Sequence, residues 1–379
     1  ASTGGGHNRA AKAMKDEIEK KCIDGEHITC EIIDSLKLIN TTMDKIISSG
    51  YEKSAKYTPK AWGGVYKMSD ANIVSKHEYK GNLFNTLLAS KLKKLLKESK
   101  PDLIIGTHPF PMIALSTLKK KYPYRNAFNS FFVPPLISVL TDYTAHSTYI
   151  QDEIDYYIAG DEYVKEVLIS EGVDGDKIKP YGIPVEKSFL EHREKSVVLE
   201  ELGLAPDKFT VLLMGGSFGA GNIKDTLKEL LEIDRDFQII VITGRNETLK
   251  EKLEKSLEKY TIDKNISILG FTQDMNDILS AVDIIVSKPG GLTTTECLLK
   301  ELPMIIPYYI PGQEEENMDF LSNCGAALRT SKKFTISVLL KVLIDNPMRM
   351  ELLKNNIKSV KKQNTAEDIA NLVSNILGY

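Results

Sequence analysis

Ser287-Lys288-Pro289-Gly290-Gly291-Leu292-Thr293-Thr294-Thr295-Glu296 decides how the chain is read. Before it runs Asp283-Ile284-Ile285-Val286, a short apolar segment that reads as a buried parallel strand. Glu296-Cys297-Leu298-Leu299 reads as the start of a helix. The join between them is therefore a Gly-Gly turn leading into a hydroxyl-rich helix N-terminus. Such a junction aims backbone N–H groups and the positive end of a helix dipole at one point, where phosphates bind. An ordinary strand-to-helix loop has the same composition. Two further stretches favour phosphate. One is a glycine loop upstream, Gly215-Gly216-Ser217-Phe218-Gly219-Ala220-Gly221. The other is a polar cluster downstream, Gln313-Glu314-Glu315-Glu316-Asn317.

Around that stretch the second half alternates strand and helix. Thr210–Met214, Gln238–Ile242, Ile266–Leu269, Asp283–Val286 and Met304–Pro307 read as five buried strands, each ending in a glycine or polar loop. Helices are expected at 334–345 and 365–377, one of which can cross back to the first domain. In a parallel α/β sheet all these loops share the carboxyl edge, where ligands sit. The loops at Gly216, Ser217, Pro289, Gly290 and Gly291 can hold a diphosphate without a metal. Phe271 offers a face for a base, and Glu296, one turn into the helix, suits a ribose diol. Gln313, Glu314 and Asn317 suit a hydroxyl-rich ring. Together they describe a nucleotide-diphosphate sugar, and no Asp-x-Asp pair is placed to bring a metal ion to it.

Tyr181-Gly182-Ile183-Pro184-Val185 has the character of a domain boundary, dividing 1–182 from 183–379. In the first half, Ser2-Thr3-Gly4-Gly5-Gly6-His7 opens into a helix marked by Ala10, Ala11, Met14 and Ile18. Glycines at Gly5 and Gly6 clear space for something close to the backbone. His7 at the helix N-terminus is held toward its neutral, proton-accepting form, unless it is a capping or surface histidine. A turn of this kind usually follows a strand, so further residues are expected upstream of Ala1. His27–Asp34 alternates and reads as a strand. Asp102–Gly106, Leu136–Leu140 and Ile154–Ala159 read as buried strands. His108 and Asp142 follow the first two, and His146, four residues past Asp142, joins them or faces solvent.

With 379 residues, 42% hydrophobic and 27% charged, the chain is globular and long enough for two domains. No apolar run reaches the roughly 18–20 residues a spanning helix needs, and no secretory signal opens it. Cys22, Cys30, Cys297 and Cys324 lack metal-site spacing and read as reduced thiols of a cytoplasmic protein. The net charge of −3 is unevenly spread, with 17 Lys/Arg against 6 Asp/Glu from Lys37 to Arg125. That basic segment, 37–125, also holds Trp62, Tyr51, Tyr57 and Tyr66. Basic plus aromatic composition suits anionic membrane lipids; a solvated lysine face over an aromatic core gives the same composition. No nucleic-acid module accompanies the charge.

At these residues the chain resembles a GT-B glycosyltransferase, an α/β protein of two Rossmann-like doubly wound domains facing across a cleft. More narrowly, it resembles the monogalactosyldiacylglycerol synthase and processive diacylglycerol glucosyltransferase family. The matching residues, in order, are Thr3–His7, Thr141-Asp142 with His146, Gly215–Ser217, Ser287–Thr293 with Glu296, and Pro311–Glu314 with Asn317. The resemblance implies inverting transfer of a glucose or galactose from a UDP-sugar to the 3-hydroxyl of diacylglycerol, with no metal or other cofactor. His7 would be the general base. The helix N-terminus at Gly290, Gly291, Leu292 and Thr293, with Gly216 and Ser217, would stabilise the leaving UDP. Phe271 and Thr272 would hold the uracil, Glu296 the ribose, and Gln313 and Glu314 the hexose. Gly5, Gly6, His108, Asp142 and His146 would line the acceptor side, across the cleft from the donor. The first domain would bind acceptor and membrane, giving a cytoplasmic protein held peripherally at anionic lipid. The family often has Trp where this chain has Tyr149.

Three rivals share parts of this reading. An N-acetylglucosaminyltransferase acting on a polyprenyl-linked peptidoglycan precursor has the same fold and donor class. A UDP-sugar 2-epimerase would need more carboxylates around the sugar and no acceptor groove. A non-catalytic UDP-sugar sensor would not need His7.

Overall fold

The computed structural model describes residues 5–23, 25–39, 83–124, 131–215, 222–258 and 263–378. Gly216, Ser217 and about half of the basic segment, Trp62 included, lie outside these residues. The chain forms two compact units. The first takes Ala1–Glu186, Pro311–Gln313 and Asn364–Tyr379; the second takes Lys187–Ile310 and Glu314–Gln363.

In the first unit a small antiparallel hairpin, β1 (Cys22–Ile23) and β2 (Glu26–His27), follows helix α1 (Gly5–Ile18). The main sheet is parallel, β3 (Ile104–Gly106), β4 (Leu136–Val139), β5 (Tyr156–Ile158) and β6 (Ile178–Lys179), paired in chain order. Met14 and Ile18 of α1 pack on Ile137, Val139 and Ile158 of the sheet and on Ile369, Ala370 and Val373 of the carboxy-terminal helix Thr365–Leu377. Thr365 Oγ1 donates to the Tyr181 carbonyl at 2.7 Å, tying the start of that last helix to the first unit. Helix α2 (Leu83–Ser99) buries Leu88, Leu92 and Leu96, one face at four-residue spacing, against α3 (Pro109–Lys121).

The strand expected at His27–Asp34 is absent beyond β2. Alternation needs a neighbouring strand to become a ladder, and this stretch has helix α1 beside it instead. Cys30 N donates to Glu19 Oε1 at 3.0 Å, and Lys15 Nζ donates to the Cys30 carbonyl at 2.5 Å. Side chains of α1 and of Glu19 just past its end thus take the backbone groups a strand would have used.

The second unit has one parallel sheet of six strands in the order β12-β11-β10-β7-β8-β9. These are β7 (Thr210–Met214), β8 (Gln238–Ile242), β9 (Ile266–Leu269), β10 (Ile284–Val286), β11 (Met304–Ile306) and β12 (Ala327–Arg329). Its core joins Val211, Leu213, Ile239, Val241, Ile284, Val286 and Ile305 to Leu227, Leu230 and Leu340 of the covering helices. The sixth strand, β12, and the helix Pro347–Val360 extend the sequence reading. Three residues at a sheet edge carry too short a pattern to be read as a strand. Strand order reverses between β7 and β10, which pair Val286 with Leu213. The glycine loop after β7 and the Pro-Gly-Gly loop after β10 therefore leave the sheet at its topological switch point, where open α/β sheets bind ligands.

Candidate functional site

In the second unit, helix α4 (Gly291–Leu299) starts at Gly290, in extended conformation with φ −68° and ψ 144°. No side chain caps it, so the amides of its first turn carry the positive end of the dipole without a side-chain partner there. Ser287 and Thr294 lie in the same junction, and their hydroxyls are buried with no partner among the described residues. The loop is braced from α5 (Gln313–Asn323). Asn317, fully buried, donates from Nδ2 to the Pro289 carbonyl at 3.0 Å. Glu314, at the start of α5, pairs through Oε1 with Lys288 and accepts from Ile310 N at Oε2, 2.9 Å away. Gly312 turns the chain into that helix with a φ of +110°, a conformation that favours glycine. A side chain on Gly290 would point at this pair, 3.9 Å from Glu314 Oε1 and 4.0 Å from Lys288 Nζ.

The other donor-side residues are spread along the sheet edge. Thr293 is half-buried at the first turn of α4, and Leu292 is buried. Glu296 is buried on the helix face turned inward. Gln313 opens α5 and keeps part of its surface. Phe271 follows β9, three strands from β10, or about 14 Å at the usual inter-strand spacing. It is 54% exposed, with the Arg245 guanidinium 5.1 Å from its ring centroid. Thr272 Oγ1 accepts from Asp274 N at 3.0 Å.

In the first unit a second cluster gathers where β3 and β4 end. His7 lies in the first turn of α1, and its Nδ1 is 3.1 Å from Thr141 Oγ1. Its backbone carbonyl accepts from Thr107 Oγ1 at 3.3 Å. Its ring meets the His108 ring edge-on, with centroids 4.8 Å apart at 68°. Its Nε2 has no hydrogen-bond partner among the described residues. Burial lowers the His7 imidazole to about 4, so it is neutral at physiological pH. His108 is lowered too, by burial and then by His7 beside it. A methionine explains the glycine at the end of β3: a side chain on Gly106 would strike Met112 of α3.

His108 and His146 have structural tasks at helix starts. The His108 Nδ1 accepts from Phe110 N at 3.2 Å, capping α3, with Pro109 in its first position. The His146 Nδ1 accepts from Thr148 N at 3.1 Å and lies 2.8 Å from Thr148 Oγ1, capping the 3₁₀ turn Ser147–Tyr149. Asp142 is half-buried next to Thr141. Gly5 has open space where a side chain would be, and Gly6 is half-buried in the same turn.

Thr141, Thr107, Tyr149, Lys288 and Arg245 were not singled out as site residues from sequence. Lys288 carried a signal, a cation directly before the glycines. Thr141 stands in a matched motif and Tyr149 at a departure from the family, each without an assigned role; Thr107 and Arg245 carried none, because each meets a residue distant in the chain. Among the described residues, no three His, Cys, Asp or Glu side chains group as a metal site.

Solved structures place this architecture. Acinetobacter baumannii MurG superposes with a TM-score of 0.56 over 76% of this chain and 77% of its own, at 17% identity. Anabaena HepE in complex with UDP gives 0.52 over 76% and 82%, at 15% identity. A UDP-GlcNAc 2-epimerase from Neisseria meningitidis gives 0.54 over 77% and 81%, at 17% identity. The fold is GT-B, the architecture of a large class of glycosyltransferases. Residues 7–185 match the monogalactosyldiacylglycerol (MGDG) synthase family, and residues 210–373 match the glycosyltransferase family 28 C-terminal domain. The processive diacylglycerol beta-glucosyltransferase of Bacillus licheniformis is 29% identical over 370 residues, covering 97% of this chain and 91% of its own. That of Bacillus cytotoxicus is 27% identical over 375 residues, covering 98% and 91%. The chain thus joins a monogalactosyldiacylglycerol synthase family segment to a glycosyltransferase family 28 C-terminal domain, and it is an enzyme, a hexosyltransferase.

Proposed function

We propose that this enzyme transfers a hexose from a UDP-sugar to the 3-hydroxyl of diacylglycerol, inverting the anomeric centre and using no metal ion. The observation that carries the reading is His7: a neutral imidazole with Nδ1 tied to Thr141 and Nε2 without a partner among the described residues. Nε2 takes the proton of the acceptor hydroxyl as its oxygen bonds to the anomeric carbon. The bond from that carbon to the diphosphate breaks, and UDP leaves with the electron pair. Charge building on the diphosphate meets the uncapped N-terminus of α4, together with Gly216 and Ser217, and the Lys288 ammonium beside it. Phe271 and Thr272 take the uracil, Glu296 the ribose, and Gln313 and Glu314 the hexose. Asn317 acts by holding Pro289. Gly5 and Gly6, with His108, Asp142 and His146, line the acceptor side. The names of the Bacillus relatives favour glucose as the sugar.

The amino-terminal domain, 1–182, receives the lipid, and the carboxy-terminal domain, 183–379, binds the donor. No helix of the described residues is long and apolar enough to cross a membrane. The enzyme works at a membrane surface through segment 37–125. Its described part includes exposed Leu83, Leu87 and Tyr124 beside exposed Lys91, Lys94 and Lys97. Lys93 and Lys119 are otherwise engaged, with Tyr122 and Asp155. Binding to vesicles is therefore expected to rise with anionic lipid content and weaken with salt; equal binding to neutral vesicles removes the electrostatic role.

The deciding experiment offers UDP-glucose, UDP-galactose and UDP-N-acetylglucosamine with diacylglycerol vesicles, with and without EDTA, and analyses the lipid products. Glycosyldiacylglycerol formed equally with EDTA is expected. Sugar epimerised without lipid product, or transfer only to a polyprenyl carrier, overturns the reading.

A further inference from the structure

The base in this reading needs its proton on one particular nitrogen. A neutral imidazole carries its single proton on Nδ1 or on Nε2, and only the Nδ1–H form leaves Nε2 able to accept. In a helix N-terminal turn, with no carboxylate against Nδ1, nothing local selects that form.

The selection is made by residues 134 and more positions away in the chain. His7 Nδ1 faces Thr141 Oγ1 at 3.1 Å. The Tyr149 phenol hydrogen-bonds to the same Thr141 side chain. Thr141 and Tyr149 are both buried, so neither hydroxyl can exchange its partner for water without cost. Tyr149 in turn feels the Asp142 carboxylate, which, after burial, holds its phenol proton on. That charge acts through space, and its field favours the orientation of the Tyr149–Thr141 pair in which each proton points toward it. Followed back from Asp142, the Tyr149 hydroxyl proton points toward the carboxylate. The Thr141 hydroxyl donates to the Tyr149 oxygen, and the Thr141 oxygen is left to accept from His7 Nδ1–H.

We propose that Thr141 and Tyr149, oriented by Asp142, form a relay that fixes His7 as the Nδ1–H tautomer, making them positioning residues for the base. The relay gives the imidazolium that forms on proton uptake an acceptor for Nδ1–H, and through it a distant negative charge. It also assigns a task to the tyrosine that stands at 149, because an indole at that position has a donor but no oxygen to accept from Thr141. The inference rests on His7 being the base, yet its main test does not.

The test is nitrogen NMR of the full chain labelled at histidine nitrogens, with His7→Gln used to assign the His7 signals. The expected result is His7 protonated at Nδ1 and bare at Nε2 at pH 7. In Thr141→Val, which keeps the shape and removes the hydroxyl, the proton shifts toward Nε2. Thr141→Ser restores the wild-type pattern, and Tyr149→Phe shows a partial shift. Glycosyl transfer should follow, with kcat down about 10- to 100-fold in Thr141→Val, as for groups that orient a catalytic histidine. KM for the UDP-sugar should stay unchanged, and Thr141→Ser should recover most of the rate. A wild-type His7 protonated at Nε2, or a tautomer unmoved in both Thr141→Val and Tyr149→Phe, overturns the relay. If His7→Gln keeps full activity, the base assignment falls while the tautomer result stands by itself. If His7→Gln is inactive and the tautomer never moves, the relay falls and the base remains.

Discussion

The two clusters are built in opposite ways. The donor-side loop is contiguous: strand, Pro-Gly-Gly turn and helix start follow one another from Ile284 to Leu299. Its braces come from only 26 and 28 residues further on, at Glu314 and Asn317. The cluster at His7 is discontiguous, joining a helix start to strand ends 100 and 134 residues away. The donor loop gets its properties from backbone, through amides and a dipole that any sequence with the right turn supplies. The His7 cluster gets its properties from side chains, each of which must be identified. Backbone sites should therefore tolerate loss of a brace with graded weakening, and the side-chain site should fail outright when its central residue goes.

The sharpest way to break that comparison is His7→Ala. Transfer should fall about 10²–10⁴-fold, with donor binding by UDP titration unchanged. Comparable activity in the variant would show that the first unit's cluster is not the chemical centre.

Next in size is Lys288→Met. The Glu314 carboxylate is 9% exposed and the Lys288 side chain 18%. Removing the cation leaves a buried charge with only the Ile310 amide, at a cost of about 3 kcal/mol. The denaturant midpoint should drop and the KM for the UDP-sugar should rise. The double variant Lys288→Met, Glu314→Gln should recover much of the stability but not the KM, if Lys288 also serves the diphosphate. Recovery of both would reduce Lys288 to a brace.

Asn317→Leu comes third. It leaves the Pro289 carbonyl without its donor, worth about 1–3 kcal/mol. About a tenfold rise in KM for the donor, with kcat little changed, is the expected outcome. A fall in kcat with KM constant would mean the loop's amides act in the transition state rather than in binding.

The smallest effect is on stability against pH. The folded His7 titrates at about 4, below the ordinary value of 6.5, and His108 is lowered as well. Between those limits the unfolded chain binds the proton and the folded chain does not. Stability is full above about 6.5 and declines as pH falls toward 4. The His108 ring lies against His7, so the measurement is a difference: the melting temperature of wild type minus that of His7→Gln, followed from pH 7.5 to 5. The difference should shift against wild type as the pH drops; a constant difference would place the imidazole in ordinary solvent. The acid limb of kcat/KM for wild type should likewise fall nearer 4 than 6.5.

Much of this molecule was legible in the residues. Apolar runs marked β7 to β11, because buried parallel strands are continuous apolar segments. The failures share a cause. His27–Asp34 alternates as a strand should, but Lys15 of α1 and Glu19 just past its end take its backbone groups. The residues left open whether His146 joins His7, His108 and Asp142 or faces solvent; His108 and His146 each have their Nδ1 in a helix cap. A cap is local, but whether a histidine caps or faces a ligand depends on the rotamer that packing allows.

The sequence by itself determined the α/β alternation, the Pro-Gly-Gly turn after β10 and the family resemblance, because these are written in neighbouring residues whose spacing constrains the backbone directly. Only the tertiary structure decided that Glu314 pairs with Lys288, that Asn317 holds Pro289, and that His7 Nδ1 meets Thr141. Those pairings depend on how strands are ordered in the sheet and which loop ends fall side by side. No local pattern encodes that order, since chain closure over a hundred residues is set by the packing of the whole core.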